Sequence, residues 1–137
     1  MSAIGHPTGR LIGERDAYAV DMEAMMREAA QYGVALELNA YPQRLDLSDG
    51  MLRMAKEHGA PIMINTDAHL TGQFENMTYG VSMARRGWIE KKDVVNALPL
   101  EQLMRRLRAM REGKLKTVQR LGAVPAGSRG RAGKRKA

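Results

Sequence analysis

Apolar side chains recur at helical spacing in four segments of this chain. Residues 20–32 carry one such stripe, and Gly33 follows it as a typical stop signal. Ser48 is a favourable N-cap for the next segment, and Pro99 suits the entry to the last one. The pattern therefore predicts four amphipathic helices, which cover residues 20–32, 48–58, 77–86 and about 100–112.

Two short apolar runs between these helices are predicted to be strands. They are Ala35–Ala40 and Pro61–Asn65, and the second is apolar on both faces, as a parallel strand covered by helices would be. A shorter stub at Ala3–Gly5 precedes them. The alternation of strands and helices predicts an α/β fold with a parallel sheet and right-handed crossovers. A complete α/β barrel needs roughly 200 residues or more, so any barrel-like motif in these 137 residues belongs to part of a barrel or to a smaller sheet.

The net charge of +7 is unevenly distributed along the chain. Residues 111–137 contain nine Lys or Arg residues and one Glu, so the residues before them are almost neutral. From Val124 onward the chain cannot bury enough apolar surface to offset the loss of chain entropy. We therefore expect a folded region at residues 1–112 and a basic, disordered tail at residues 113–137.

The composition also excludes several classes of site. The chain has no cysteine, which excludes disulfides, Cys-ligated metal sites and thiol nucleophiles. No apolar run approaches the roughly 18 residues of a membrane span, and residues 1–10 lack the pattern of a signal peptide. These features favour a cytoplasmic protein that does not associate with membranes.

Polar residues follow each predicted strand, at the edge of a parallel sheet where ligands usually bind. His6 follows the first stub, Asn39 the second strand, and Asp67 and His69 the third. Residues i and i+2 of an extended chain point the same way, so Asp67 and His69 can present a carboxylate and an imidazole to one divalent metal ion. Alternatively, Asp67 caps a turn and His69 is merely exposed.

Two nearby loops offer further candidates. In the loop at residues 6–10, Thr8 and Arg10 could contact a phosphate, although an ordinary strand-to-loop corner has the same composition. Arg44 and Asp46 could line a site, and a surface ion pair between them is the simpler interpretation. Trp88 is expected to pack between helices, with nucleotide stacking as the alternative.

Several segments taken together resemble one family. The resemblance covers about residues 3–110, and the segments that carry it are His6–Arg10, Asp21–Ala24, Ala35–Ala40, Arg44–Asp49, Ile64–His69, Tyr79–Val81 and Ala84–Trp88. In order and spacing they resemble the C-terminal half of the PHP (polymerase and histidinol phosphatase) domain of bacterial family X DNA polymerases. The resemblance implies part of a distorted (βα)7 barrel with parallel strands.

The resemblance also implies a chemistry. In that family a cluster of divalent metals, commonly manganese, zinc or iron, supports 3′–5′ exonuclease and related phosphodiester hydrolysis on DNA. His6, Asp67 and His69 match metal-ligand positions, and we expect a divalent metal, with Mn favoured and Zn, Fe or Mg as alternatives. Asn39 and Arg44 match positions near the site, and together with Arg10 they are the candidate substrate-binding residues. No catalytic residue is assigned.

The chain also departs from the family pattern. It has three His residues and lacks the His-x-His motif that opens the family's metal site. We therefore expect DNA repair hydrolysis to be impaired in this chain alone, unless a partner chain supplies the missing half of the barrel. The alternative is a non-enzymatic remnant that binds nucleic acid, with DNA as its expected partner, through the basic tail.

Overall fold

A computed structural model describes the backbone of residues 2–121 and the side chains of residues 2–112. Within this part of the chain the strands are β1 (Ala3–Ile4), β2 (Ala35–Asn39) and β3 (Ile62–Asn65). The α-helices are α1 (Met22–Tyr32), α2 (Asp49–Glu57), α3 (Met77–Arg86) and α4 (Leu100–Leu121). Short 3-10 helices cover Thr71–Asn76, Lys91–Asp93 and Val95–Ala97. None of the described helices is both long and apolar enough to cross a membrane.

The three strands form one parallel sheet in the order β1-β2-β3. Ala3 is paired with Ala35, and Leu36 is paired with Ile62. This confirms the predicted α/β fold with parallel strands. The described strands make an open sheet, so the (βα)7 barrel stays an expectation from the family resemblance.

The two faces of the sheet bury different partners, because side chains alternate along a strand. Leu36, Leu38 and Ile62 belong to the larger core, which also contains residues of α1, α2 and α3. On the other face, Ala35 packs in a smaller cluster with Met110 of α4. Farther along this second face, β2 carries polar side chains instead of apolar ones, and the candidate site begins there.

Local signals set the helix ends, and those at Gly33 and Ser48 are the ones that the sequence predicts. The Asp21 carboxylate accepts a hydrogen bond from the backbone N–H of Ala24 at the start of α1, at 2.9 Å. Gly33 ends the same helix with a φ of 62°, a conformation that glycine adopts at little cost. The Ser48 hydroxyl caps α2 by accepting from the N–H of Met51.

The last helix is longer than predicted. It runs to Leu121, past the expected end at about residue 112. Leu115, Val118 and Leu121 continue the apolar spacing, so the single Gly113 does not end the helix. The expectation of a disordered tail also concerns residues 122–137, which lie outside the described residues.

Candidate functional site

Polar residues gather where the three strands end. β1 leads through Gly5 to His6, β2 ends at Asn39, and β3 ends at Asn65 and continues to Asp67. Asn39 and Asn65 are paired in the register of β2 and β3. The parallel sheet therefore brings these segments to one edge, as the sequence predicts.

A buried carboxylate connects the three strand ends. Glu37 on β2 is only 9% exposed, and its side chain accepts hydrogen bonds from partners on both neighbouring strands. Oε1 accepts from Nδ2 of Asn65 at 2.9 Å, whereas Oε2 accepts from the backbone N–H of His6 and from Nδ2 of Asn39 at 3.4 Å. Glu37 was not among the candidate residues, although a single charged residue inside an otherwise uncharged strand is a signal that could have identified it.

Asp67 is held by two groups at this edge. Its Oδ2 accepts a hydrogen bond from Nδ2 of Asn39 at 3.1 Å and lies 3.5 Å from Nε of Arg44. Asn39 is 1% exposed, and its Oδ1 accepts from the backbone N–H of Tyr41. The structure therefore brings Asn39 and Arg44 to Asp67, and their roles in substrate binding stay predictions.

The imidazole of His69 is oriented by the loop that carries it. Nδ1 lies 2.7 Å from the carbonyl oxygen of Asp67, and this contact favours the tautomer in which Nδ1 donates. The backbone N–H of His69 donates to Oε1 of Gln73 at 2.7 Å. In that tautomer of the neutral ring Nε2 carries no proton, and this is the form of the ring that binds metal ions.

The loop after β1 is organised by Asp46, which is fully buried. Oδ2 of Asp46 accepts from the backbone N–H groups of Thr8 and Gly9, at 2.9 and 3.1 Å. The interpretation of Asp46 and Arg44 as a surface ion pair is therefore wrong. Asp46 is inside the protein, because two backbone donors of the neighbouring loop need an acceptor there, and the ionic partner of Arg44 is Asp67.

Arg10 connects the same two loops. Its Nε donates to the carbonyl oxygen of Arg44 at 2.8 Å, and its guanidinium also contacts the carbonyl oxygen of Leu45. Part of the guanidinium is therefore committed to backbone groups. Its predicted contact with a substrate phosphate remains a prediction.

Three residues around this edge have the left-handed backbone conformation that usually favours glycine. The φ angles are 29° for His6, 41° for Leu45 and 55° for Asp67. Such conformations cost about 1–3 kcal/mol each and often occur in binding or catalytic sites. Their concentration at the carboxyl edge supports a functional role for this part of the molecule.

The described side chains do not by themselves form a metal centre. Among residues 2–112, no group of three or more His, Asp and Glu side chains lies close enough together to hold a metal ion. His6 is at the end of β1, while Asp67 and His69 follow β3, and the Asp67 carboxylate is already in contact with a guanidinium. The residues present therefore fit an incomplete ligand set and not a closed metal site.

Trp88 differs from its expected environment. Instead of packing between helices, it is 64% exposed, so that expectation is wrong. The guanidinium carbon of Arg53 lies 3.8 Å from the centre of its ring and covers part of it. Trp88 follows the end of α3, where the chain turns outward before the next 3-10 helix.

Comparison with known proteins identifies relatives of this chain. No family model matches it. The chain is 47% identical to the DNA polymerase/3′–5′ exonuclease PolX of Bacillus subtilis over 103 residues, which cover 75% of this chain and 18% of that relative. It is 28% identical over 93 residues to probable phosphatases of Shewanella sp. strains ANA-3 and MR-4, which cover 64% of this chain and 37% of each relative.

These relatives support the family resemblance that the sequence indicates. The chain spans less than a fifth of the length of the Bacillus relative, and the match falls on most of the described fold. An exonuclease and probable phosphatases among the relatives support membership of a hydrolase family that uses divalent metal ions. The 47% identity over three quarters of the chain is consistent with the resemblance to a C-terminal fragment of the PHP domain of bacterial family X DNA polymerases.

Proposed function

We propose that this chain supplies the C-terminal part of a metal-dependent phosphodiesterase site that acts on DNA, in a 3′–5′ exonuclease reaction that serves DNA repair. The observation that carries the proposal is the placement of His6, Asp67 and His69 at one edge of a parallel sheet. The 47% identity to an exonuclease of Bacillus subtilis supports the same assignment.

The proposed roles follow from the contacts of each side chain. His69 offers its Nε2 atom and Asp67 offers a carboxylate, and both residues follow β3. His6 offers an exposed imidazole and follows β1. Arg44 is partly buried beside Asp67, and its Nη1 is buried without a hydrogen-bond partner among the described residues. A phosphate oxygen of the substrate would satisfy that donor, which supports a substrate-binding role for Arg44.

We further propose that the site is incomplete in this chain alone. Three ligand side chains, which come from only two strand ends, hold a metal weakly unless further ligands complete the set. The remaining ligands would come from a partner chain, or another segment, that carries the first part of the barrel. DNA hydrolysis by the isolated chain is therefore expected to be weak or absent.

A chimeric enzyme tests both parts of the proposal. Residues 3–110 would replace the matching segment of the Bacillus subtilis relative, and Mn²⁺-dependent removal of nucleotides from a labelled 3′ end would be measured. The chimera should retain exonuclease activity, and Asp67→Ala should reduce it by at least about a hundredfold, because loss of a metal ligand removes the charge that the metal supplies. The matched control is Asp49→Ala, since the Asp49 carboxylate is paired with Arg86 of α3.

The isolated chain provides the second arm of this experiment. A folded chimera without activity, or one that Asp67→Ala leaves fully active, would contradict the proposed site. Robust Mn²⁺-dependent digestion by the isolated chain, lost in Asp67→Ala, would instead show that the chain completes the site by itself.

The alternative function is nucleic-acid binding without catalysis. The observation that favours it is the excess of basic residues in positions 111–137, which can neutralise phosphates and release counterions. This alternative predicts salt-sensitive DNA binding that Asp67→Ala leaves unchanged and that removal of residues 122–137 weakens.

A further inference from the structure

We propose that the exposed ring of Trp88 and the cationic cavity beside it form a binding surface for single-stranded nucleic acid, at the opposite edge of the sheet from the candidate metal ligands. This surface does not depend on the proposed hydrolytic function. A base would stack on the free part of the indole ring, and neighbouring phosphates would contact Lys and Arg side chains of the cavity.

The backbone around Trp88 places its ring outward at an energetic cost. The N–H groups of Trp88 and Ile89 donate to the carbonyl oxygens of Arg85 and Ala84, which is the hydrogen-bond pattern that commonly ends a helix with a left-handed glycine. Here Trp88 takes the left-handed position, with a φ of 60°. A residue kept in a strained conformation with a large apolar side chain in solvent indicates a role other than packing.

Gly87, which precedes Trp88 in this turn, is required for the packing of α2 against α3. A Cβ atom on Gly87 would lie 2.6 Å from Cβ of Leu52, so α2 and α3 can approach closely only if this residue is glycine. The left-handed position therefore falls on the next residue, Trp88. The sequence Gly87-Trp88 thus satisfies helix packing and displays the indole ring at the same time.

Arg53 stacks on part of the Trp88 ring and leaves the rest of the ring exposed for a second stacking partner. Its guanidinium carbon is 3.8 Å from the ring centre, yet Trp88 remains 64% exposed. A guanidinium on part of an indole ring fixes its orientation and adds positive charge beside the exposed part. A nucleobase is flat and can stack on the exposed part of the indole ring.

A cavity of about 170 Å³ lies close to the backbone of Trp88. Lys56 joins the two features, because it lines the cavity and its Nζ donates to the carbonyl oxygen of Trp88 at 2.6 Å. Pro61 also lines the cavity and immediately precedes β3, whereas Asp67 follows that strand. Six residues at about 3.3 Å each set an upper limit of about 20 Å between Pro61 and Asp67, so the cavity and Asp67 lie at opposite ends of β3.

The charges around the cavity favour an anionic ligand. Glu90 pairs with two of the lysines and Asp93 with one of them, so the carboxylates neutralise only part of the positive charge. The cavity is lined by three cationic side chains, Lys56, Lys92 and Arg106, and by one carboxylate, Asp93. Glu90 adds a second carboxylate through its pairs with Lys56 and Lys92. Arg106 lies on α4, whose sequence continues toward the basic residues 111–137. A strand bound here could extend along that helix.

The chain provides a direct reporter of this interaction, because Trp88 is its only tryptophan. An oligothymidylate of about ten nucleotides, added to the full chain, should quench the tryptophan fluorescence in a saturable manner, and salt should weaken the binding. With a labelled oligonucleotide, Trp88→Ala should weaken binding about fivefold to a hundredfold, the range expected for one lost base–aromatic stack, while Trp88→Phe should retain most of it.

Matched variants separate this surface from other basic residues. Arg106→Ala should reduce the slope of log affinity against log salt by about 0.7, the contribution of one phosphate contact to a single strand, whereas Arg27→Ala on the exposed face of α1 should not. Asp67→Ala should leave the quenching unchanged, which separates this proposal from the hydrolytic function.

Three results would overturn the inference. The first is the absence of any fluorescence change when the labelled oligonucleotide is fully bound. The second is equal affinity of Trp88→Ala and the unmodified chain. The third is equally tight binding of thymidine monophosphate or of duplex DNA, because neither would require stacking of an unpaired base within a strand.

Discussion

The hydrogen bond between Glu37 and Asn65 allows a quantitative test of how the candidate site is held together. Oε1 of Glu37 accepts from Nδ2 of Asn65 at 2.9 Å. Both residues lie on the same face of the sheet, close to its carboxyl edge. Asn65→Asp replaces the donor with a second carboxylate. Two such charges at this distance repel by about 6 kcal/mol at an effective dielectric constant of about 20.

Proton uptake limits that cost. An ordinary Asp carboxyl has a pKa of about 3.9, and each pH unit corresponds to about 1.4 kcal/mol, so keeping a proton on the pair at neutral pH costs about 4 kcal/mol. We therefore expect Asn65→Asp to lower the free energy of unfolding by about 3–4 kcal/mol. A small domain has only about 5–15 kcal/mol in total, so the effect will be large.

The same structure predicts which second substitution restores stability. Glu37→Gln alone should cost about 1 kcal/mol, because the Asn65 amide can turn its oxygen toward the new donor. In the double variant Glu37→Gln with Asn65→Asp, the carboxamide at position 37 donates to the carboxylate at position 65, and the hydrogen bond is restored in the opposite direction. The double variant should lie within about 1 kcal/mol of the unmodified chain.

Denaturant unfolding, followed by the fluorescence of the single Trp88, measures all four proteins of this double-mutant cycle. Glu57→Gln on the exposed end of α2 is the control for loss of one carboxylate. If Asn65→Asp costs the same in the Glu37→Gln background as in the unmodified chain, the two side chains are not coupled. That result would refute the view that Glu37 joins the strand ends.

Two further predictions concern packing and charge. Gly80→Ala should destabilise the chain by about 1–3 kcal/mol, because the added Cβ would lie 2.7 Å from Cγ2 of Ile64. The control Gly50→Ala should stabilise the chain by up to about 1 kcal/mol, because its added Cβ meets nothing within 4 Å. Equal effects of the two substitutions in thermal melts would contradict this prediction. Hydrogen bonds from Lys56, and then Lys92, lower the pKa of Glu90 to about 2 from an ordinary 4.5. The stability that Glu90 contributes should therefore be complete above about pH 4.5 and decline as the pH falls toward 2. Glu90→Gln should remove this part of the acid sensitivity in melts recorded across that range, and an unchanged pH profile would show that the ion pairs contribute nothing.

The sequence alone located the three strands and the four α-helices in their order, but not the short 3-10 helices between α3 and its neighbours. Spacing of apolar residues located the helices, and local caps at Asp21, Ser48 and Gly33 depend only on residues a few positions away. The end of α4 was missed, because a lone glycine in a helix costs only about 1 kcal/mol and a continuing apolar stripe can override it. The convergence of His6, Asn39 and Asp67 on one edge followed from the rule that parallel strands end on the same side.

What only the tertiary structure decided is which of these polar groups contact one another. Two partners of Glu37, Asn65 and His6, are 28 and 31 residues away in the chain, and Asp46 binds Thr8, which is 38 residues earlier. Such pairs are fixed by strand order and register, which no local pattern encodes. The exposure of Trp88 has the same origin, because it results from the close approach of α2 and α3 at Gly87. Local chemistry in the sequence determined the elements and the candidate residues, whereas long-range packing determined which candidates form a site and which face the solvent.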